Sequence, residues 1–260
     1  MAEKGQFGIE LKWFGVSAYE IRLGGATVVT DPFITENPKN TLGPEDISAC
    51  DFIAITHAHY DHITDLPYLA EKFKPRVLCG ELTAPLLLQW SDMCPTSLYP
   101  MSANLELDFN TVRIKALFGR HTFLADRVST HLERYKRLSI VAGDEGMSQM
   151  ALYGILEYRN YLFTTPDGTK LLVWGNELTP DQCNILRELR PDIAIMQLTR
   201  NSPEETASLC MEMGTKVVIP SHYDYSKDHT DLAEKLQRVL AVRAPEIRCV
   251  LPPYGEWVSL

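Results

Sequence analysis

Between residues 52 and 63 the chain reads FIAITHAHYDHI, which places His57, His59, Asp61 and His62 within six positions of one another. The whole chain has seven histidines, and three fall in this one stretch. In an extended segment His57 and His59 point to the same side, about 6–7 Å apart by strand rise. Two imidazoles so placed converge on a single ion. Asp61 and His62 continue into a turn, where the chain reverses and faces a second ion. Two divalent metals roughly 3.5–4 Å apart form a hydrolytic device that holds a bridging hydroxide as nucleophile. Imidazole suits borderline ions, and the carboxylate brings negative charge to the pair.

Four clustered donors do not complete such a site, so others must arrive from the ends of later strands. Two histidines are placed to do so. His121 closes the alternating stretch TVRIKALFGRH, and His222 closes KVVIPSH. Strand ends at one edge of a sheet are where functional side chains gather. His131 is the rival of His121 for the third position, and the strand pattern favours His121.

The elements that must position these residues are legible in outline. Alternating stretches at 9–15 and 18–24 and the run at 26–32 read as strands, with Gly24-Gly25 as a turn. FIAIT (52–56) is a short apolar run suited to a strand buried on both faces. Helices are expected over 65–73 and 83–90, with a strand at 76–80 between them. YLFTT and TKLLVWG flank Pro166-Asp167-Gly168, a hairpin signal. Thr179-Pro180-Asp181-Gln182 and Ser202-Pro203-Glu204-Glu205 are capping boxes with proline at the first helical position. Strands at 193–198 and 216–222, a helix over roughly 230–240 and a strand near IRCVL complete the pass. Strand–helix alternation of this kind indicates an α/β architecture of layered sheets with helices outside, in one domain spanning 1–260. The stretch 122–160 is long for a connection and reads as an insertion: a lid, an oligomer contact or a structural excursion.

Composition narrows the function classes. The chain has 260 residues, 25 Lys plus Arg against 34 Asp plus Glu, and a net charge of −9. An acidic chain without a basic run is poorly suited to nucleic acid. No apolar stretch is long enough to span a bilayer, and MAEKGQFGIE lacks the apolar core of a secretory signal. The six cysteines are scattered without a C-x-x-C pair, which suits a reducing compartment, the cytoplasm. The expected partner is a small-molecule substrate.

The H-x-H-x-D-H pattern with strand-end histidines downstream resembles the metallo-β-lactamase superfamily, over nearly the whole chain. WFGVSAYEIRLGGATVVTDPF looks like that family's opening strands, and IPSHYD like its last ligand segment. Among its members the chain looks most like stand-alone hydrolases related to L-ascorbate-6-phosphate lactonase. The resemblance implies a four-layer αββα sandwich. It also implies one metal on His57, His59 and His121, and a second on Asp61, His62 and His222. Zinc fits the imidazole-rich set, whereas the lactonase likeness points to manganese. The family's bridging aspartate falls in a Gly-Asp step, which here is Gly175-Asn176. A neutral Asn176 carbonyl lacks the two anionic oxygens of a bridge. The centre is then bridged by hydroxide alone, mononuclear or decayed; we favour one tight metal and one weaker one.

The implied chemistry is hydrolysis by metal-bound hydroxide of a small lactone or ester, including one of a sugar phosphate, with Asp61 also accepting a proton. A phosphodiesterase, or a non-catalytic binding protein on the same fold, are the alternatives. Asp31 reads equally as an acceptor fixing a ligand histidine or as a turn residue before Pro32. Arg120 faces away from His121 if the strand alternates. Tyr60 and Tyr223, and Trp13, Trp90 and Trp174, read as packing residues.

Overall fold

The computed structural model describes residues 5–39, 41–121, 143–225 and 229–260. The chain opens with three antiparallel strands, β1 (Glu10–Gly15), β2 (Ala18–Leu23) and β3 (Ala26–Thr30), then runs into β4 (Phe52–Ala54). Two helices follow, α1 (Tyr60–Ile63) and α2 (Leu66–Phe73). After them come β5 (Arg76–Cys79), α3 (Ala84–Ser91), β6 (Leu98–Pro100), β7 (Glu106–Asp108) and β8 (Arg113–Gly119). Helix α4 (Gly143–Leu156) leads into the hairpin β9 (Tyr158–Thr164) and β10 (Lys170–Trp174). The last part alternates: α5 (Pro180–Leu189), β11 (Ile193–Gln197), α6 (Pro203–Met213), β12 (Val217–Ser221), α7 (Thr230–Arg243), β13 (Arg248–Cys249) and β14 (Trp257–Ser259).

These strands form two sheets, ordered β14-β1-β2-β3-β4-β5-β6 and β13-β12-β11-β10-β9-β8-β7. Each has an antiparallel half joined to a parallel half, and the changeover lies at β3–β4 in one and β10–β11 in the other. Strand alternation sorts residues between layers. Val28, Phe52, Ala54 and Leu78 face inward with Ile114, Leu162 and Leu172 of the second sheet. Val29, Ile53, Ile55 and Val77 face outward with Leu66, Leu69, Leu87, Met150 and Ala151 of the helices. Leu186, Leu209 and Leu236 cover the second sheet from α5, α6 and α7. The result is the expected four-layer sandwich.

Local chemistry explains the helix starts. Thr179 and Ser202 accept from the N–H groups of Gln182 and Glu205, and both capping boxes close as the spacing predicts. Trp13 and Trp174 are buried, and Trp90 packs at the edge of the outer cluster. Among the described residues no helix is long and apolar enough to cross a membrane.

One expectation needs correction. The insertion read over 122–160 does not extend to 160, because residues 158–160 are the first part of β9, a central strand. Arg159 and Asn160 conceal it, being polar residues inside a sheet. Both are buried with their hydrogen bonds made: Arg159 to the Met101 carbonyl and Glu157, Asn160 to Gly175 and Asn176. Residues 143–156 form α4, and its Met150 and Ala151 are part of the outer core. Residues 122–142, including His131, lie outside the described residues.

Candidate metal centre

Strand direction determines where the side chains meet. β3 and β4 are parallel, so both end at one edge of their sheet. In the other sheet β8 and β10 each run antiparallel to β9, and β11 and β12 run parallel to β10. The C-terminal ends of β8, β10 and β12 therefore share an edge too. Past β4 the backbone bends at Thr56, is extended at His59 (φ −71°, ψ 147°) and then coils into α1. The His62 N–H donates to the His59 carbonyl at 2.9 Å, which swings Asp61 and His62 away from the His57–His59 pair.

The result is two adjoining triads. The ligand atoms of His57, His59 and His121 lie within 4.8 Å of one another, as do those of Asp61, His62 and His222. Ring centroids are 4.5 Å apart for His57–His59, 4.7 Å for His59–His121 and 5.1 Å for His57–His121. His62 and His222 are 5.5 Å apart, and Asp61 Oδ2 is 3.8 Å from His222 Nε2. The triads touch through His57 and His62, whose rings are 4.1 Å apart. Five imidazoles and one carboxylate, mostly buried, are a donor set that fits borderline divalent ions.

Asp31 and Thr56 set the tautomers. Asp31 is fully buried at φ +36°, and its carboxylate accepts from the Thr56 N–H at 2.7 Å and from the Thr56 hydroxyl at 2.8 Å. It also lies 2.8 Å from His62 Nδ1. A carboxylate only accepts, so His62 Nδ1 carries the proton and Nε2 keeps its lone pair. The Thr56 hydroxyl has one hydrogen, which Asp31 takes. Its oxygen, 3.0 Å from His57 Nδ1, therefore accepts from that nitrogen and leaves His57 Nε2 free as well.

Electrostatics favours a neutral ring at His57. Burial, then the neighbouring His62, His59, His121 and His222, hold His57 well below the usual imidazole range. His222 is lowered by burial and by His62, although Asp61 and Asp224 oppose this. Burial also pulls His62 down, but the charge and hydrogen bond of Asp31, with Asp61, outweigh it and raise the net value.

Asn176 sits at the end of β10 with its amide engaged by protein. The Gly175 N–H donates to Asn160 Oδ1 at 2.9 Å, which fixes that amide's orientation. Asn160 Nδ2 then donates to Asn176 Oδ1 at 2.5 Å, and Asn176 Nδ2 donates to the Glu177 carbonyl at 2.9 Å. A pair of neutral amides occupies the place where the resemblance implies a carboxylate.

Sequence reasoning missed Thr56, Tyr158, Asn160 and Gly154. The Tyr158 ring stacks on His57 at 4.6 Å and 26°. Burial pushes that phenol up, so it stays protonated. A Cβ on Gly154 would lie 2.3 Å from His59 Cδ2, so α4 seats directly on a histidine of the first triad. Its signal was available: a glycine inside a helical stretch often marks close approach. Arg120 is exposed, facing away as alternation predicts. Tyr60 packs edge-on against Phe33, and Tyr223 lies 5.2 Å from the Trp13 ring, so both are packing residues.

Comparison with known proteins agrees with this fold. Residues 11–133 match the metallo-beta-lactamase superfamily model. A UPF0173 metal-dependent hydrolase of Methanobrevibacter smithii is 29% identical over 225 residues, covering 83% of this chain and 82% of its own length. Igni18, a metallo hydrolase from the archaeon Ignicoccus hospitalis, superposes with a TM-score of 0.71 at 17% identity, covering 96% of this chain and 97% of its own. An isothiocyanate hydrolase from Delia radicum gut bacteria gives 0.67 at 16% identity, covering 96% and 99%. In its fold, its paired triads and the matched segment the chain is similar to the metallo-beta-lactamase superfamily and to stand-alone proteins named as metal-dependent hydrolases.

Proposed function

We propose that the protein is a metal-dependent hydrolase acting on a small lactone or ester, including one of a sugar phosphate. The observation that carries the hydrolase reading is the pair of adjoining triads at one edge of the sandwich. His57, His59 and His121 would hold a tight metal, and Asp61, His62 and His222 a weaker one. When bound, a divalent metal acidifies a coordinated water towards neutrality and polarises the group under attack.

The chain's own residues do the rest. Thr56 and Asp31 hold the His57 and His62 rings with Nε2 presented. Asp61, beside His222, is the group placed to take a proton from the attacking water. The neutral Asn160–Asn176 pair leaves the second triad with Asp61 as its one carboxylate, which supports the weaker assignment. Zinc suits the imidazole-rich set, and manganese stays a candidate through the lactonase resemblance. All six cysteines are free, in keeping with a cytoplasmic enzyme. A small-molecule substrate fits an acidic chain without a basic groove.

The test is a substrate panel of p-nitrophenyl esters, homoserine-type lactones, bis-p-nitrophenyl phosphate and an alkyl isothiocyanate, each with and without chelator. Chelator-sensitive turnover of esters or lactones supports the proposal. Turnover confined to the phosphodiester or the isothiocyanate replaces the substrate class. No chelator-sensitive turnover on any of them moves the protein to a binding role.

A further inference from the structure

The structure assigns Asp224 the part of a positioning residue: it clamps the Val16 turn, and that turn in turn holds His222 aimed at Asp61 and His62. The inference rests on the metal-centre reading above. It concerns a carboxylate that belongs to neither triad.

The clamp is built from backbone outward. Asp224 is buried, and both of its oxygens accept from the Val16 N–H, at 3.0 and 3.1 Å. Tyr254 donates its hydroxyl at 2.8 Å and Asn37 its amide at 3.4 Å. The Val16 carbonyl then accepts from the His222 N–H at 3.0 Å and from the Ser221 hydroxyl at 3.0 Å. A single peptide turn between β1 and β2 thus carries a bond from Asp224 on one side and a bond to His222 on the other.

Both residues joined by this turn have unusual backbones. Val16 has φ +51° and His222 has φ +58°. The left-handed region is disfavoured for L-residues, most of all for a β-branched one. Such conformations persist where the surroundings over-determine them, and they cluster at functional sites. Here the over-determining partner is Asp224. Gly15, at φ +103°, lets the turn approach: a Cβ there would meet Asn37 Nδ2 at 1.9 Å and Asp224 Oδ2 at 3.0 Å.

Freed from Asp224, the Val16 peptide would relax towards an ordinary turn, and its carbonyl would leave the His222 N–H. His222 would then lose its left-handed backbone, and its imidazole would move off the second triad. His57, His59 and His121 hang from β4 and β8 and would stay in place. The expected signature is selective: the second metal weakens and the first does not. A general loss of fold would affect both.

The experiment is cobalt(II) titration of the full chain, followed by visible absorption and by metal content after gel filtration, with far-UV circular dichroism as control. The variants are Asp224→Ala, Asp224→Asn and Tyr254→Phe. Two cobalt equivalents are expected for the wild type. Asp224→Ala should weaken the second roughly tenfold or more and spare the first, the usual scale for a ligand-orienting partner. Asp224→Asn keeps one oxygen for the Val16 N–H and should recover part of the loss, and Tyr254→Phe should show a smaller one. If Asp224→Ala does not fold, the other two variants decide by the same criterion. Unchanged second-equivalent affinity in folded variants overturns the positioning role. A wild type that takes up one equivalent only overturns it too, while leaving a single-metal enzyme standing. No uptake by the wild type overturns the metal-centre reading itself.

Discussion

Replacing Asn176 with aspartate restores the carboxylate that the family resemblance implies, and its cost without metal follows from the hydrogen bonds. Asn176 donates Nδ2 to the Glu177 carbonyl at 2.9 Å and accepts at Oδ1 from Asn160. An aspartate keeps the Asn160 bond but turns the other oxygen towards a carbonyl, so a bond worth about 1 kcal/mol is lost. The new charge is also buried, at 2% exposure, with one donor in place of water. Together we expect about 3 kcal/mol of destabilisation in the metal-free protein. At roughly 2–4 °C per kcal/mol for a chain of this size, Tm should fall by about 6–12 °C. Adding zinc or manganese should reverse most of that fall, because a dication held by the triads would compensate the charge. The assay is thermal unfolding of wild type and Asn176→Asp, each with chelator and with excess metal. The reasoning is refuted if the chelated variant is as stable as the wild type, or if metal stabilises it no more than it stabilises the wild type.

Three other substitutions probe the supports of the site. Asp31→Asn places an amide N–H₂ against a His62 Nδ1–H or a Thr56 donor, so metal affinity at the second triad should drop about 10–100-fold in a calorimetric titration. Thr56→Val keeps shape but removes the hydroxyl joining Asp31 to His57, and should cost about 1–3 kcal/mol by urea unfolding together with weaker retention of the first metal on dialysis. Gly154→Ala would raise intrinsic helix stability by about 1 kcal/mol elsewhere. Here its Cβ would lie 2.3 Å from His59 Cδ2, so metal retained per chain after gel filtration should fall.

The fold was legible in this sequence because its strands separate cleanly. Runs such as FIAIT and IAIMQL are bounded by turn residues, and both capping boxes closed where the spacing put them. The candidate triads were legible for a related reason. Four of their six members lie in one short stretch, and the other two end strands whose alternation points to them. The supporting residues were hidden because what they do depends on contacts distant in sequence. Thr56 matters through Asp31, 25 residues earlier, brought alongside by the parallel β3–β4 pairing. Asn160 and Arg159 interrupt an apolar run, and the start of β9 was read as insertion. Only the structure shows that Gly175, Asn176 and Glu157 satisfy those polar groups inside the sheet. Asp224 likewise acts across 208 positions on Val16, a link that no local pattern carries.

The most direct test of the central claim is metal content per chain by plasma mass spectrometry, on protein stripped with chelator, refilled separately with zinc and manganese, and dialysed. One firmly held ion with a second that is lost progressively on dialysis is the predicted result, and His57→Ala should abolish the firmly held one. Less than a tenth of an ion per chain with both metals, in wild-type protein whose circular dichroism shows it folded, would contradict the account.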